Sequence, residues 1–563
     1  MRILFLCHSF NSLSQRLFAE LRWRGHEVSV EFDINDAVTV EAVDLFQPDV
    51  IVAPFLKRAI PQVVFDKRIC LVVHPGPVGD AGPSALDWAI LDGKAEWGVT
   101  VLQAESMLDA GAVWAYRRFP VRAARKSSLY RHEITEAATD AMLEAIEKVE
   151  RGWEPETLRM LGVNLVWRSG AKQAHRAIDW QQDDTDTVLR KIASADGMPG
   201  VKDELFGEPV HLFNAHRAGG LAGEPGEIVA RSRGAIARAT RDGAVWIGHV
   251  RKAEPKAVKL PATRVFGVET EHLQEHTGHR EIRYIEVGRI GFLHFEFYNG
   301  AMGTEACKRL LDAWREALRR PTKIVFLMGG PDHWSNGLDL NLIEAAASAA
   351  DESWANINAM NDLAEAIIST ADRYVISAVC GNAGAGGVFL ARAADEVWLR
   401  RGAILNPHYK DMGNLYGSEF WTYLLPRHTG PENAERIAAA RLPMGAEEAL
   451  ELGLADEIIH TGLDGFEETV LDLALQLETS GALEERLLGK AERRANDERE
   501  KPLADYRAEE LERMRRNFYG FDPSYHVARY NFVHKVPKSR TPITIARHRA
   551  NDPDAQSRRR AAS

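Results

Sequence analysis

Cysteine is scarce in this sequence, and its pattern indicates neither a disulfide framework nor a metal site. Four cysteines occur in 563 residues, at Cys7, Cys70, Cys307 and Cys380, far apart and within apolar strand or helix patterns. We therefore expect buried free thiols and a reducing compartment. The sequence also has no P-loop and no metal-ligand spacing, so we expect no metal.

Long apolar runs and an excess of positive charge are also lacking. No run is long enough to span a bilayer, and residues 1–7 begin a strand without a signal-peptide cleavage site. A net charge of −11 gives no general attraction for nucleic acid or anionic membranes. We therefore expect a cytoplasmic protein with small-molecule ligands and with no nucleic-acid or membrane partner.

The length of the chain predicts roughly two to four domains. Residues 1–165 alternate strand and helix patterns, which predicts a doubly wound α/β domain with a parallel sheet and ligands at the carboxyl ends of its strands. Residues 166–272 change to short strands between glycine turns, which predicts a small β-barrel domain. The chain as a whole is therefore expected to be α/β and multidomain.

A histidine and an aspartate in the first domain suit a proton-handling pair. His74 ends a strand within the sequence VVHPGP, and Asp109 follows a later strand within LDAGA. This pattern resembles the 10-formyltetrahydrofolate-dependent formyltransferases, such as methionyl-tRNA formyltransferase, and with the β-barrel the resemblance covers residues 1 to about 270. It implies that His74 and Asp109 belong to that family's Asn-His-Asp set, whose asparagine position holds Val72 here.

Four residues are candidates for binding folate or CoA. Gln15 lies near the start of a helix, Arg131 lies near the start of another, and both can face the cleft of His74. Solvated helix positions remain the alternative for these two. Ser194 follows a predicted helix in the second domain, and Tyr416 lies in a glycine-containing turn of the second half.

Two glycine-containing turns organise the second half of the chain. One is GNAGAGGVFL, residues 381–390, between a strand pattern and a helix pattern, and the other is WSNGLDL, residues 334–340. A turn of this kind presents backbone N–H groups at a helix N-terminus. One N–H from each of two such turns makes an oxyanion hole for a thioester carbonyl.

Together with AEEALELGLADE at residues 446–457, these turns resemble the crotonase (enoyl-CoA hydratase/isomerase) superfamily. The resemblance covers about residues 281–460 and implies a β/α spiral domain with a CoA-thioester site. It also implies that Asn336 and Gly386 are the two oxyanion-hole residues, which donate one backbone N–H each. Phe389 and His408 stand where a hydratase has its two glutamates, so water addition to an enoyl-CoA is not expected. We assign residues 273–480 to this domain, residues 481–540 to a C-terminal helical extension and residues 541–563 to a disordered basic tail.

Tyr409 and Glu419 supply an acid/base pair close to the missing hydratase carboxylate, with Tyr416 and His408 in reserve. An alternative for Glu419 is a structural role as a first-turn acid of a helix over residues 418–425. The sequence alone leaves both interpretations open.

The two halves in this order resemble the HypX family, also called HoxX, of hydrogenase maturation proteins. The resemblance implies formyl transfer from 10-formyltetrahydrofolate to CoA, followed by decarbonylation of formyl-CoA to carbon monoxide. It also implies the hydrogenase maturation machinery or the hydrogenase large subunit as a partner. Two alternatives remain: a formyltransferase coupled to formyl-CoA hydrolysis or another acyl-CoA reaction, and a non-catalytic CoA-binding delivery module.

Overall fold

The computed structural model describes residues 1–550, which form two compact units. The first unit contains residues 1–279 together with the segment that starts at Lys538, and the second contains residues 280–537. The predicted boundary between the two halves, at residues 272–273, lies a few residues before this division.

A six-stranded mixed sheet opens the first unit. In spatial order its strands are Glu27–Phe32, Arg2–Cys7, Val50–Phe55, Ile69–His74, Glu96–Gln103 and Val113–Pro120. The first four are parallel, but the last two run antiparallel to their neighbours. The expectation of a parallel sheet is therefore wrong at this edge. Residues 104–112 join the last two strands with no room for a crossover helix, so these two strands pair as an antiparallel hairpin.

The helices around this sheet begin at recognisable caps. The side chains of Asn11 and Asn35 accept hydrogen bonds from the backbone N–H groups of Ser14 and Val38 at two helix starts. The helical segments of this region are Ser12–Trp23, Asp36–Phe46, Gln62–Phe65, Ala85–Leu91, Lys126–Leu129, the π-helical turn Tyr130–Ile134, and Thr135–Glu150. A two-residue strand, Asp80–Ala81, pairs with Val166–Trp167 outside the main sheet.

An antiparallel sheet forms the second part of the first unit. Its strands are Ile228–Ser232, Ala235–Thr240, Gly243–Lys252, Glu208–Arg217 and Val201–Leu205 in spatial order, and Leu260–Pro261 pairs with Gly243–Lys252. The sheet curls, since Arg238 near one edge donates to Asp203 Oδ1 at the other edge (3.2 Å). Helix Thr185–Ala195 packs its buried side chains Val188 and Ile192 on this sheet. The short helices are Gln173–Arg176, Ala262–Val265 and Gly267–Thr270.

The second unit has the expected crotonase-like core. Its main sheet runs Ile282–Val287, Ile290–Phe295, Ile324–Gly329, Tyr374–Val379, Glu396–Arg400 and Glu457–Ile459, all parallel after the first hairpin. A small parallel sheet of His333–Ser335, Asn382–Gly384 and Leu405–Asn406 lies beside it. The helical segments are the 3₁₀ turn Tyr298–Gly300 and the helices Thr304–Leu318, Leu340–Glu344, Ala349–Ile368, Gly386–Arg392, Trp421–Thr429, Pro431–Ala440, Ala446–Glu451 and Phe466–Thr479.

The predicted C-terminal helical extension belongs to the second unit. It consists of Leu483–Glu500, Leu503–Tyr519 and Ser524–Val533, and the first two helices are separated at Pro502, whose ring and missing N–H do not fit a helix interior. Met514, Phe518 and Tyr525 are buried in the same apolar cluster as the crotonase-like core. These helices therefore complete that core.

The prediction of a disordered tail is wrong for residues 541–550. This segment packs on the first unit and ends in the helix Arg547–Ala550, with Ile545 and Ala546 buried. The basic residues mislead the sequence analysis because their partners, Glu31 and Glu41, lie some five hundred residues away in the chain. Residues 551–563 lie outside the described residues.

Three general features concern residues 1–550. All four cysteines are free and buried, which confirms that prediction. Within this range no helix combines the length and apolar character that crossing a membrane requires. The same range holds no cluster of three or more histidine, cysteine, aspartate or glutamate side chains arranged to bind a metal ion.

Two candidate active sites

His74 and Asp109 lie in contact at the end of a strand in the first unit. His74 closes Ile69–His74, and its Nδ1 lies 3.4 Å from Asp109 Oδ1. Asp109 has a left-handed backbone (φ +57°), and its Oδ2 accepts a hydrogen bond from the backbone N–H of Gly82 (3.0 Å). A Cβ at Gly82 would lie 2.0 Å from the carbonyl oxygen of Arg168, so this close approach requires glycine.

A second carboxylate, Asp80, contacts the other side of the imidazole. His74 Nε2 lies 2.9 Å from Asp80 Oδ2. Sequence analysis missed this residue. The available signal was an acid six positions after His74, but the contact depends on the pairing of Asp80–Ala81 with Val166–Trp167. Long-range pairing of this kind is not visible in a local pattern.

The two carboxylates favour the imidazolium form of His74. Burial opposes the charge, but the hydrogen bonds and charges of Asp109 and Asp80 outweigh it and raise the pKa of His74 to about 9. The pKa of Asp109 is lowered, since its bonds to His74 and Gly82 outweigh burial. At neutral pH the site therefore offers a positively charged proton donor rather than a base.

Two of the predicted ligand-binding residues of this unit donate hydrogen bonds to backbone carbonyls. Gln15 and Arg131 are half-buried; Gln15 Nε2 donates to the carbonyl of Phe10 (3.0 Å) and Arg131 Nη1 donates to that of Ser127 (3.1 Å). Asn11 Nδ2 donates to the hydroxyl of Tyr130 (3.0 Å) and so joins the two helix starts that carry them.

Ser194, the third predicted ligand-binding residue of this unit, is fully buried. Its hydroxyl donates to the carbonyl of Lys191 (2.8 Å) within its own helix. The hydrogen of the Ser194 hydroxyl is thus engaged inside the protein, and its oxygen can still accept a hydrogen bond.

In the second unit, Tyr409 and Glu419 form a buried hydrogen-bonded pair. The Tyr409 hydroxyl lies 2.6 Å from Glu419 Oε2 and 2.9 Å from the carbonyl oxygen of Ser418. Tyr409 is 8% and Glu419 1% exposed. The helix that follows begins at Trp421, and Glu419 has a left-handed backbone before it (φ +58°). The alternative interpretation of Glu419 as a first-turn acid is therefore wrong.

The environment of the pair moves the proton affinities of both groups. Burial raises the pKa of Glu419 to about 7, although the Tyr409 hydrogen bond lowers it in part. Burial and the neighbouring Glu419 raise the pKa of Tyr409 well above its usual value. The Tyr409 hydroxyl carries one proton but faces two acceptors, so both hydrogen bonds form together when Glu419 carries a proton of its own.

The glycine turn and Glu419 lie in direct contact. A Cβ at Gly386 would lie 2.2 Å from Glu419 Oε1, so a larger residue at this position would displace the carboxylate. A Cβ at Gly337 would lie 3.5 Å from the backbone nitrogen of Gly386, so the two predicted turns also abut. Helix Gly386–Arg392 begins at this point, and its N-terminus favours developing negative charge.

Asn336 does not have a free N–H for an oxyanion hole. Its backbone N–H donates to the carbonyl of Gly300 (2.7 Å), and its exposed side chain donates to the carbonyl of Asn299 (2.8 Å). The next N–H, of Gly337, donates to Ser335 Oγ (3.1 Å). The prediction of Asn336 is therefore wrong, because the turn directs this N–H back into the protein. The following residue is the half-buried Leu338.

The two substituted hydratase positions are filled without carboxylates. Phe389 is buried and its ring stacks on Tyr409, with centroids 5.5 Å apart. Burial lowers the pKa of His408, and within residues 1–550 its Nδ1 is buried without a hydrogen-bond partner. Tyr416 is half-buried with its ring edge against Trp421 (5.4 Å) and Arg513 over its face (5.7 Å).

Comparison with known proteins assigns the family. Residues 9–146 match the formyl transferase family, residues 171–263 the formyl transferase C-terminal domain, and residues 298–519 the enoyl-CoA hydratase/isomerase family. The hydrogenase maturation factor HoxX of Bradyrhizobium diazoefficiens is 58% identical over 552 residues, which cover 98% of this chain and 97% of that protein. The chain belongs to the HypX/HoxX family.

A solved structure and a second relative agree with this membership. HypX from Aquifex aeolicus, crystallised in complex with tetrahydrofolic acid, is 48% identical with a TM-score of 0.94, and the match covers 98% of this chain and 99% of that one. A methionyl-tRNA formyltransferase from Dechloromonas aromatica is 26% identical over 240 residues, 42% of this chain and 76% of that enzyme. Membership of the HypX/HoxX family confirms the predicted fold, with formyltransferase and crotonase-like halves that act in hydrogenase maturation.

Proposed function

We propose that this protein makes carbon monoxide for hydrogenase maturation in two steps. The first moves a formyl group from 10-formyltetrahydrofolate to the thiol of CoA, and the second decarbonylates the formyl-CoA. The observation that carries the proposal is the buried Tyr409–Glu419 pair. Glu419 lies against Gly386, and Tyr409 stacks on Phe389, which stands in place of a hydratase glutamate. Hydrogenase maturation machinery or the hydrogenase large subunit would then receive the product.

In the transfer step, the C–N bond of the formyl donor breaks, a C–S bond to CoA forms, and the thiol proton ends on the folate nitrogen. His74 acts as an imidazolium whose Nε2 proton, bound to Asp80 in the resting site, passes to the departing folate nitrogen. The thiol proton of CoA then restores the imidazolium, while Asp109 holds the other ring nitrogen and orients the ring. The relative that binds tetrahydrofolic acid supports folate as the donor. Gln15, Arg131 and Ser194 are our candidates for contacts to folate or CoA.

In the decarbonylation step, the formyl C–H and C–S bonds break and an S–H bond forms. The carboxylate of Glu419 takes the formyl proton, and the electron pair of the C–S bond leaves with sulfur. Tyr409, with a strongly raised pKa, stays protonated and relays a proton from Glu419 to the thiolate. Carbon monoxide and CoA are the products, and the catalytic groups return to their starting state. Tyr416 is a candidate contact to CoA.

The oxyanion hole of this step uses Gly386 and Leu338. Gly386 opens a helix beside Glu419, and Leu338 follows the two N–H groups that the other turn has already engaged. Two convergent backbone donors would hold the formyl oxygen beside the carboxylate that removes the proton.

Incubation of the protein with 10-formyltetrahydrofolate and CoA tests the proposal. Carbon monoxide is trapped by reduced haemoglobin, and CoA species are separated by chromatography. The wild type should release carbon monoxide, whereas Glu419→Gln and Tyr409→Phe should lose it by roughly a hundredfold or more, the usual scale for a positioned acid or base. Formyl-CoA should accumulate in both variants. Formate without carbon monoxide from the wild type would indicate a formyl-CoA hydrolase and contradict the proposal.

A further inference from the structure

The backbone that carries Glu419 is strained. Glu419 and Phe420 both have left-handed backbone conformations, at φ +58° and +60°, although neither is glycine. A Cβ makes this region unfavourable, so two consecutive residues persist there when surrounding contacts hold them. The contacts must therefore come from outside the loop.

One such contact comes from Asn361 in the helix Ala349–Ile368. The side chain is fully buried, and its Oδ1 accepts hydrogen bonds from the backbone N–H of Glu419 (2.8 Å) and from Ser418 Oγ (3.0 Å). Its Nδ2 is buried without a partner within residues 1–550. The interactions of this amide are thus made through its oxygen with the catalytic loop.

The second contact comes from Glu510 in the C-terminal helix Leu503–Tyr519. Glu510 is 1% exposed, and its Oε2 accepts from the backbone N–H of Phe420 (3.0 Å). The same oxygen lies 3.2 Å from Ser418 Oγ, whose one hydrogen it shares with Asn361 Oδ1. Its Oε1 accepts from the backbone N–H (2.9 Å) and the hydroxyl (2.6 Å) of Thr422. Each oxygen of Glu510 therefore meets one backbone N–H, and an N–H can only donate. Both oxygens of this side chain must therefore be hydrogen-bond acceptors.

We propose that Asn361 and Glu510 are positioning residues that clamp the loop of residues 418–422 and hold Glu419 against Gly386. The inference rests on the proposed function of Glu419 and extends it to one residue from each of two helices that pack on its loop. Asn361 fixes the backbone of Glu419 itself, while Glu510 fixes the backbone of Phe420 and Thr422, which follow it. The C-terminal extension thus supplies a residue that the active site needs.

Glu510 also acts on Glu419 through its charge. The titratable groups that influence Glu419 are Tyr409 from its own loop region, Glu510 from the C-terminal helix and Cys307 from helix Thr304–Leu318. Burial raises the pKa of Glu419, and the negative charge of Glu510 raises it further. Burial raises the pKa of Glu510 itself to about 7, although the four donors oppose this and favour its ionised form.

Two conservative variants separate positioning from general loss of structure. Glu510→Gln removes the charge and one acceptor, so the pKa of Glu419 should fall. Asn361→Asp keeps the acceptor oxygen and adds a negative charge, so the pKa of Glu419 should rise. Because Glu419 acts as a base, carbon monoxide formation from formyl-CoA rises with pH through this pKa. The rising limb should move to lower pH in the first variant and to higher pH in the second, each by about one unit, a common size of pKa shift in folded proteins.

The rate should fall about tenfold or more in Glu510→Gln, while formyl transfer stays at the wild-type rate. Glu512→Gln, an exposed site two residues further along the same helix, is the matched control and should change neither the rate nor the limb. If Glu510→Gln and Asn361→Asp both form carbon monoxide at the wild-type rate, and the rising limb of the pH–rate profile does not move in either, the clamp is overturned.

An infrared titration makes the test independent of turnover. The carboxyl band of Glu419 is identified by its loss in Glu419→Gln, and its midpoint is followed with pH in each variant. If the midpoint of Glu419 shifts in opposite directions in the two variants but the wild type makes no carbon monoxide, the proposed function is refuted and the clamp stands. Carbon monoxide from the wild type without any shift would refute the clamp alone. A thermal melt of each variant identifies any that fail to fold, and the other variant then decides.

Discussion

At the scale of single residues, burial and neighbouring charges separate the roles of the titratable groups. His74 is surrounded by Asp80 and Asp109, so its proton is held tightly. Glu419 is buried beside Glu510, so a carboxyl group binds a proton near neutral pH. The first site thus holds an acid and the second holds a base close to its working pH, which is the arrangement that the two proposed steps need.

The first prediction concerns the proton of His74. Formyl transfer should be lost as pH rises through about 9, where the imidazolium deprotonates. Asp80→Asn removes one of the two stabilising carboxylates, so the pKa of His74 should fall and the loss should occur at lower pH. The measurement is a pH–rate profile of tetrahydrofolate release.

Asp66→Asn, an exposed aspartate of the same unit, serves as the control and should leave the profile unchanged. A profile of Asp80→Asn that coincides with the wild type would show that His74 does not act as the imidazolium. The folded-state pKa of His74 lies above its unfolded value, so the interaction also stabilises the first unit fully below about pH 6.5. That stability is lost as pH rises through about 9.

At the scale of secondary-structure elements, the C-terminal segment covers a sheet edge. The backbone N–H of Val30 donates to the carbonyl of Ile545 (2.9 Å), and that of Phe32 donates to Thr541 Oγ1 (2.7 Å). Residues 541–550 therefore satisfy an edge strand that would otherwise present unpaired backbone groups. The helix Leu503–Tyr519 acts similarly in the second unit, where it brings Glu510 to the catalytic loop.

The second prediction concerns Glu31, which anchors this segment. Glu31 is fully buried, and it binds His548 Nε2 (2.9 Å) and Arg549 Nε (2.6 Å), with a further short hydrogen bond from Thr541. Glu31→Gln removes the buried carboxylate that pairs with Arg549 and places an amide N–H among hydrogen-bond donors, which costs about 3 kcal/mol or more. Amide hydrogen exchange of strand Glu27–Phe32 should therefore accelerate by roughly a hundredfold if the segment opens locally.

Glu27→Gln changes an exposed acid on the same strand and should leave exchange near the wild-type rate. Burial tends to raise the pKa of Glu31, but the bonds from His548, Thr541 and Arg549 outweigh it, and the net pKa is lowered. The stabilisation is thus present above about pH 4.5 and is lost as pH falls through the lowered value. Unchanged exchange in Glu31→Gln would show that the segment is held mainly by its apolar contacts.

At the scale of the whole molecule, one chain joins two family folds whose proposed reactions share formyl-CoA. The order of the steps predicts how variants combine. His74→Ala should lower carbon monoxide formation from 10-formyltetrahydrofolate and CoA by roughly a hundredfold or more, because no formyl-CoA is made. Supplied formyl-CoA should restore it to the wild-type rate.

Glu419→Gln should not respond to supplied formyl-CoA, since its defect lies in the second step. Headspace carbon monoxide from both substrate mixtures measures the two outcomes side by side. A His74→Ala variant that stays inactive with supplied formyl-CoA would show that His74 serves the second step as well.

Local pattern in the sequence determined the two folds and several site residues. Strands followed by glycine turns predict the places where His74 and Gly386 lie, because the chemistry of a strand end or helix start is set by adjacent residues. The proximity of Tyr409 and Glu419 also followed from a short turn between them. Their hydrogen bond at 2.6 Å agrees with that expectation.

Tertiary structure alone decided which groups complete each site. Asp80 reaches His74 through strand pairing with Val166–Trp167, and Glu510 reaches Ser418 across 92 positions of the chain. Tertiary structure likewise decides that the Asn336 N–H donates to the carbonyl of Gly300 and that residues 541–550 pack on Glu31. Contacts between distant residues depend on how whole elements pack, and local propensity carries no information about that packing.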